Sequence, residues 1–112
     1  MIRLLLNFYK KYKFNKMLDR IKKNINIDKS TILMPSTYFD FRTNVDKIRT
    51  LIGKDSMIGC AFIFESDEGF IKIGDRTFIN GGTNLISRSY IDIGNDVTIG
   101  WDAIYMIIIR IL

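Results

Sequence analysis

The chain has 112 residues, of which 47% are hydrophobic and 26% charged, a composition typical of one globular domain and not of a disordered chain. No apolar run approaches the roughly 20 residues that cross a bilayer, and Met1–Leu6 is too short and too soon followed by Lys10 for a signal peptide. The single cysteine excludes an internal disulfide and predicts a reducing, cytoplasmic location.

The net charge of +5 is unevenly distributed along the chain. Residues 1–29 hold nine Lys and Arg against two Asp, a net of +7, whereas residues 30–112 hold eight against ten acidic residues, a net of −2. The basic character therefore belongs to the N-terminal segment and not to the rest of the protein.

The first predicted element is an α-helix over residues 2–23, in an N-terminal unit that ends at residue 24. It contains no Gly or Pro, and basic residues surround apolar ones that recur at helical spacing: Leu5, Phe8, Tyr9, Tyr12, Phe14, Leu18 and Ile21. We expect this basic amphipathic helix to pack on its own domain with its charged face in water. The alternative is peripheral contact of residues 1–24 with an anionic surface, which would place the protein at the inner membrane.

From about residue 25 the helical spacing stops and short β-prone runs follow, with Pro35 between them. We find no linker and no second domain, and we assign residues 25–105 to one β unit. Within it, five of the eight glycines directly follow an isoleucine: Gly53, Gly59, Gly74, Gly94 and Gly100. The isoleucines come in pairs six residues apart: Ile52 and Ile58, Ile73 and Ile79, Ile93 and Ile99.

This repeat predicts an all-β fold in which a parallel β-helix follows the N-terminal helix. An aliphatic residue every six positions points into the axis of a three-sided coil, and like residues stack from turn to turn. A small or β-branched residue four positions later fits the corner: Ser56, Thr77, Thr83, Ser89, Val97 and Ala103. Gly or Asn directly after the aliphatic residue suits a crowded or positive-φ position. The turns are 20 or 21 residues long, which predicts short bulges at residues 66–69 and 89–92.

Residues 71–79, IKIGDRTFI, and 91–99, IDIGNDVTI, resemble successive coils of the hexapeptide-repeat acyltransferases. Residues 58–65, IGCAFIFE, are similar to a coil of the branch that acylates sugars of surface polysaccharides. The clear resemblance covers residues 50–104. It implies a left-handed parallel β-helix, a homotrimer with active sites between subunits, acetyl-CoA as acyl donor and a saccharide acceptor. It also implies a histidine general base on a loop just after the equivalent of residues 99–105.

The chain departs from the family at that place, because it contains no histidine. Residues 103–112 contain no glycine and no hexad, so we interpret residues 106–112 as an aberrant tail and the chain as a truncated, inactive fragment without a catalytic residue. A frameshift is one hypothesis. Read from the last base of the Tyr105 codon, the degenerate codons force one Asp and permit His. Inserting one base near the Asp102 codon is predicted to open a frame with an Asp-His stretch and further hexads.

Two residues are candidates for substrate binding. Asn80 lies where some sugar O-acetyltransferases of this fold place an asparagine that touches the acceptor, although backbone preference alone also explains it. Trp101 is a candidate wall of the acyl-donor cleft, with surface packing as the alternative. Cys60 has no histidine to activate it and is interpreted as a small buried residue. The acidic residues 65–68 lack metal-site spacing, so no metal site is predicted.

Three functions compete on this sequence. The first is acyl transfer to a surface sugar, for which this chain is an inactive piece. The second is a non-catalytic β-helix that mediates interactions and is tethered by its basic helix. Nucleic-acid binding through residues 1–29 is disfavoured, because the aromatic residues lie on the helix face expected to be buried and no binding motif is present.

Overall fold

The computed structural model describes residues 1–43 and 45–100 in full, together with the backbone of Met106–Arg110. The chain begins with one α-helix, α1 (Ile2–Ile21), which continues into a 3₁₀ turn at Lys22–Asn24. The strands then follow in chain order: β1 (Ile25–Ile27), β2 (Ile32–Leu33), β3 (Tyr38–Asp40), β4 (Thr50–Ile52), β5 (Met57–Ile58), β6 (Ala61–Phe64), β7 (Phe70–Ile73), β8 (Phe78–Ile79), β9 (Asn84–Ile93), β10 (Thr98–Ile99) and β11 (Met106–Arg110).

The strands form a parallel β-solenoid of about three turns, in which each turn lays one strand on each of three stacks. The first stack runs β1–β4–β7 and ends on the second half of β9. The second runs β2–β5–β8–β10. The third runs β3–β6 and continues on the first half of β9 and then on β11. All pairs are parallel, so the predicted parallel β-helix is confirmed at this level.

The core is the column of aliphatic side chains that the repeat places on the coil axis. Ile58, Ile79 and Leu85 are fully buried, and Ile52, Ile73 and Ile93 are at most 5% exposed. In the third stack the column is aromatic, because Phe39 lies on Phe62 with ring centroids 4.5 Å apart and Phe41 lies on Phe64 at 4.8 Å. Burial of these apolar side chains is the main favourable contribution to the free energy of folding. In a repeat fold each coil contacts only its neighbours, so this burial takes place between successive turns.

Of the five predicted glycine positions, Gly53, Gly59 and Gly74 are crowded, whereas no atom of the described residues lies within 4 Å of a Cβ built on Gly94 or Gly100. The positive-φ positions also differ from the prediction. A Cβ on Gly74 would lie 2.8 Å from the backbone of Gly94, so only glycine fits there. The left-handed residues come two positions later in each turn, at Asp55, Arg76 and Asp96, with φ of 54°, 52° and 58°. Glycine therefore serves close approach between coils here, and the sharp turn itself is made by non-glycine residues.

One of the two predicted bulges is present and the other is not. Residues 66–68 form a turn between β6 and β7, as predicted. Residues 89–92, by contrast, lie inside the continuous ten-residue strand β9, which bridges the first and third stacks. Ser89 accordingly lies in a strand and not at a corner, whereas Ser56, Thr77 and Thr83 are buried at corners. The prediction for 89–92 was wrong because inward-facing, buried residues recur at multiples of two positions, at Leu85, Ser87 and Ile91, which is the pattern of an unbroken strand.

The helix contacts the solenoid only through its C-terminal half. Ile21 is buried in the core, and Met17 and Leu18 pack against it. The apolar residues of the N-terminal half are exposed instead, with Leu5 at 70% and Phe8 at 79%. The expectation that the helix packs on its own domain is therefore met by Met17, Leu18 and Ile21, and is not met by the N-terminal half.

The predicted tail begins with a strand. Met106, Ile107 and Ile108 pair in parallel with Leu85, Ile86 and Ser87, about one coil length earlier in the chain. The backbone of β11 thus follows the same coil path as the preceding turns.

Candidate functional site

Asn80 directly follows β8 and begins a corner of the third turn. Its side-chain Oδ1 accepts a hydrogen bond from the backbone N–H of Gly81 at 2.9 Å, and its own backbone N–H donates to the carbonyl of Ile99 at 3.0 Å. The side chain is half-buried, so its amide group remains open to the surface of the coil. The local hydrogen bond gives Asn80 a structural role that does not depend on any acceptor.

Gly81, the residue after Asn80, lies close to Ser36 and Gly59 of the adjacent turns. Ser36 donates its hydroxyl to the carbonyl of Gly59 at 2.8 Å, and a Cβ on Gly59 would lie 3.2 Å from the nitrogen of Gly81. The backbone of three successive turns therefore approaches closely along this edge.

A second corner carries a ladder of side-chain acceptors. Asp75 Oδ1 accepts from the backbone N–H of Lys54 in the preceding turn at 2.7 Å, and Asn95 Oδ1 accepts in the same way from Asp75 at 2.7 Å. A shallow cleft of about 420 Å³ runs along this ladder, lined also by Asp28 and Lys72. These polar groups satisfy donors of the coil below, so the ladder is part of how turns stack.

A parallel ladder of hydroxyl groups lies beside the first. Ser56 donates to the carbonyl of Gly74 at 3.0 Å, and Thr77 donates to that of Gly94 at 2.8 Å. Each hydroxyl also accepts an N–H from the next turn, as Ser56 does from Thr77 at 3.0 Å. Val97 occupies the next position, and its backbone N–H points to Thr77 Oγ1 at 3.4 Å. The hydroxyl ladder ends at Val97, while the carboxylate and amide ladder reaches Asn95.

Arg49 is the buried charged side chain of the core, with no exposed surface. Its guanidinium donates to the carbonyls of Ser66, Gly69 (3.3 Å) and Phe41 (3.5 Å), and it stacks over the ring of Phe64 at 4.8 Å. Burial lowers the pKa of Arg49 from its ordinary value, an effect that the nearby carboxylates of the 66–68 turn oppose. Arg49 thus links the segment after β3 to the loop between β6 and β7 in the next turn, and this role is structural and not catalytic.

Sequence reasoning missed Arg49, and it also missed Asn24. Asn24 is buried and donates from Nδ2 to the carbonyls of Val45 and Lys47 at 2.7 and 2.9 Å. The register β1–β4 places Asn24 directly beneath Arg49 in the stack. The one available signal was that both residues immediately precede a β-prone run in successive turns.

Cys60 is buried, as the sequence predicts, and burial strongly raises the pKa of its thiol. A thiol in this state is not a nucleophile, because the thiolate is the reactive form. Among the described residues no group of His, Cys, Asp or Glu is arranged to hold a metal ion. Two exposed hydroxyl groups donate to carboxylates, Ser30 to Asp28 Oδ2 at 2.6 Å and Thr43 to Asp67. The hydrogen bond from Ser30 lowers the pKa of Asp28, which makes that carboxylate a weak base.

A groove of about 1020 Å³ lies between α1 and the loop after β2. Lys10, Phe14 and Met17 line it from the helix, Pro35 lines it from the loop, and Tyr38 lines it from the start of β3. It is open and mainly apolar with a basic rim. Asn80 does not line it. Trp101 lies outside the described residues, so the two predicted substrate-binding residues cannot be placed relative to each other.

No protein-family model, no curated protein and no solved structure matches the chain. No helix in the described part of the chain is long and apolar enough to cross a membrane.

Proposed function

We propose that this chain forms coils of a hexapeptide-repeat acyltransferase with a left-handed β-helix, which transfers an acetyl group from acetyl-CoA to a sugar of a surface polysaccharide. The observation that carries the proposal is the buried aliphatic column, in which Ile52, Ile73 and Ile93 stack and each is followed by a glycine. Coils of 20 or 21 residues with this corner chemistry favour the hexapeptide-repeat architecture. The active form on this proposal is a homotrimer.

The residues of this chain would serve the acceptor side of the reaction. Asn80 has an amide group at the coil surface beside the close-packed Ser36, Gly59 and Gly81, a position suited to hydrogen-bonding a sugar hydroxyl. The sugar oxygen attacks the thioester carbonyl of acetyl-CoA as its proton passes to a base, and the acetyl ester forms as the C–S bond breaks and CoA leaves as its thiol. The general base that the proposed family uses is a histidine, and these 112 residues hold none. Burial raises the pKa of the Cys60 thiol, which therefore does not replace it.

On this proposal the coils of this chain position the sugar acceptor, and the catalytic step requires a histidine that is added to them. Loss of a general base lowers the rate by roughly 10²–10⁴-fold. The purified chain is accordingly expected to show no saturable release of CoA from acetyl-CoA with any sugar acceptor. Robust turnover by the 112 residues alone would contradict this assignment.

The decisive experiment restores the missing base. Histidine-bearing coils of a hexapeptide-repeat transferase are fused after Gly100, in register with the 20-residue turn from Ile79 to Ile99. The fusion is expected to acetylate a sugar acceptor, and mutation of its histidine to alanine removes this activity. Asn80→Ala raises KM for the sugar, whereas Asn26→Ala, an exposed asparagine of β1, leaves it unchanged. A folded, trimeric fusion without transfer activity argues against the proposal.

The second candidate is a non-catalytic β-solenoid that mediates interactions. The observation that favours it is the chemistry of the polar groups: Arg49, Asn24 and the ladder from Lys54 to Asn95 are all engaged in holding turns together. The two candidates differ in the fusion experiment, because a purely structural coil gives no dependence of sugar KM on Asn80.

A further inference from the structure

The apolar residues of α1 form two stripes on opposite sides of the helix. With about 100° of rotation per residue, Phe14, Met17, Leu18 and Ile21 cluster on one side and Leu5, Phe8, Tyr9 and Tyr12 cluster roughly 180° away. The first cluster packs on the solenoid. The second is exposed, with Phe8 at 79% and Tyr12 at 58%. The solenoid therefore lies on the side of the helix opposite the exposed stripe and leaves it accessible.

The exposed stripe widens toward the N-terminus of the helix. Met1, Ile2, Leu4 and Leu5 are 99%, 76%, 71% and 70% exposed. Large apolar side chains collected on one free helix face mark an interaction site, because scattered single residues are normal but contiguous ones are not. The stripe is continuous over the first three turns of α1.

Lysines border this stripe and lean over its aromatic rings. Lys13 Nζ lies 5.1 Å from the ring centre of Tyr9, and Lys16 Nζ lies 5.8 Å from that of Tyr12. Tyrosine and lysine side chains both have an apolar body and a polar tip, so they suit the boundary between acyl chains and headgroups. Residues 1–24 hold eight Lys and Arg against one Asp, a net of +7.

We propose that the exposed stripe of α1 docks this protein on an anionic lipid surface. The apolar residues enter the headgroup region, and the lysines contact lipid phosphates and carboxylates. Charge complementarity selects this occupant over a second copy of the chain, because two helices of this charge repel each other. The exposed apolar residues favour lipid over nucleic acid, since nucleic-acid binding offers no apolar environment for Ile2, Leu4 and Leu5. The inference holds whether or not the solenoid takes part in acyl transfer.

Vesicle cosedimentation of the full 112-residue chain tests the proposal. Vesicles of phosphatidylcholine with about a third phosphatidylserine are compared with vesicles of phosphatidylcholine alone. Binding to the anionic vesicles is expected to be roughly tenfold tighter or more, and to weaken as salt is raised. Failure of the chain to bind anionic vesicles overturns the proposal, and so does equal binding to both compositions.

Two pairs of variants test the orientation of the helix. Phe8→Ser with Tyr12→Ser is expected to weaken binding by roughly tenfold or more, because both side chains lose their apolar contact. Ile32→Ser with Ile48→Ser removes exposed apolar side chains from the solenoid and leaves binding unchanged. Lys13→Gln with Lys16→Gln weakens binding more than Lys10→Gln with Lys11→Gln, because the rotation of about 100° per residue places Lys10 and Lys11 on the side of the helix that faces the solenoid. Circular dichroism confirms that each variant is folded.

The remaining outcomes contradict the proposal. Equal losses for the two lysine pairs mean that charge alone, without an oriented helix, produces the binding. If sedimentation velocity shows that the chain is a dimer which Phe8→Ser with Tyr12→Ser dissociates, the stripe is a contact between copies. Binding to a DNA duplex as tightly as to anionic vesicles also overturns the assignment to lipid.

Discussion

Asn95 Oδ1 lies 2.7 Å from the backbone nitrogen of Asp75, in the space that a Cβ on Gly74 would otherwise occupy. The same relationship recurs one turn earlier, where Asp75 Oδ1 takes the space above Gly53 and accepts from Lys54. In both cases a side-chain oxygen of one coil occupies the space left by the missing Cβ of a glycine in the preceding coil. Gly94 is the next glycine of this series, and among the described residues nothing lies within 4 Å of a Cβ built on it.

Alanine at Gly74 and alanine at Gly94 are expected to have opposite effects on stability. Gly74→Ala displaces Asn95 and lowers the free energy of unfolding by about 1–3 kcal/mol. Gly94→Ala meets no atom and raises it by about 0.4–1 kcal/mol, because alanine restricts the unfolded chain. Urea denaturation measures both. A large loss for Gly94→Ala would mean that a further coil covers this end in solution.

Replacing Arg49 by methionine is expected to destabilise the solenoid strongly. The substitution keeps an apolar stem but leaves the carbonyls of Ser66 and Gly69 without their buried donor, which lowers the free energy of unfolding by about 2–4 kcal/mol. Arg88→Met, at an exposed position in β9, is the matched control. A change within about 0.5 kcal/mol of the wild type would show that the guanidinium is dispensable.

The Arg76–Asp96 pair is expected to add a small, acid-sensitive contribution to stability. Arg76 contacts both carboxylate oxygens of Asp96, at 2.7 and 3.1 Å, and hydrogen bonding by Arg76 holds the pKa of Asp96 below its ordinary value of 3.8. Because the folded pKa is the lower one, the contribution is complete above 3.8 and is lost as the pH falls through the folded pKa.

Unfolding of wild type and Asp96→Asn, followed as a function of pH, checks this. The two proteins are expected to differ near neutral pH and to converge in strong acid. Both residues are exposed, so added salt reduces the difference. Asp92→Asn, at an exposed carboxylate in β9, serves as the control. A difference between wild type and Asp96→Asn that persists in strong acid would exclude the ion pair as its source.

Trp101 is the one tryptophan of the chain, so its fluorescence tests the proposed acyl-donor site directly. If Trp101 borders that site, CoA is expected to change its emission saturably, and adenosine to change it less. Trp101→Phe provides the blank for inner-filter absorption. Calorimetric binding of CoA without any change in tryptophan emission would place the donor elsewhere.

The sequence by itself determined the course of the coil. Five of the six isoleucines at six-residue spacing are buried and the sixth, Ile99, is partly buried. The glycines after Ile52, Ile58 and Ile73 are crowded. A repeat encodes this because each turn meets nearly the same neighbours as the last, so local spacing predicts burial. The helix at residues 2–21 is predictable for a similar reason, since it depends on residues of its own segment.

Only the tertiary structure decided what lies between turns. The partners of Arg49 lie 8 to 20 residues away in the chain, and no periodicity marks them. The unbroken strand β9 likewise follows from pairing with both β6 and β7. The two apolar stripes of the helix can be identified from the sequence. Which stripe is covered depends on the solenoid, because only Met17, Leu18 and Ile21 are near enough to its first turn to contact it. Asn80 is placed at a corner by the sequence, while its bond to Gly81 emerges from the turn geometry of the folded coil.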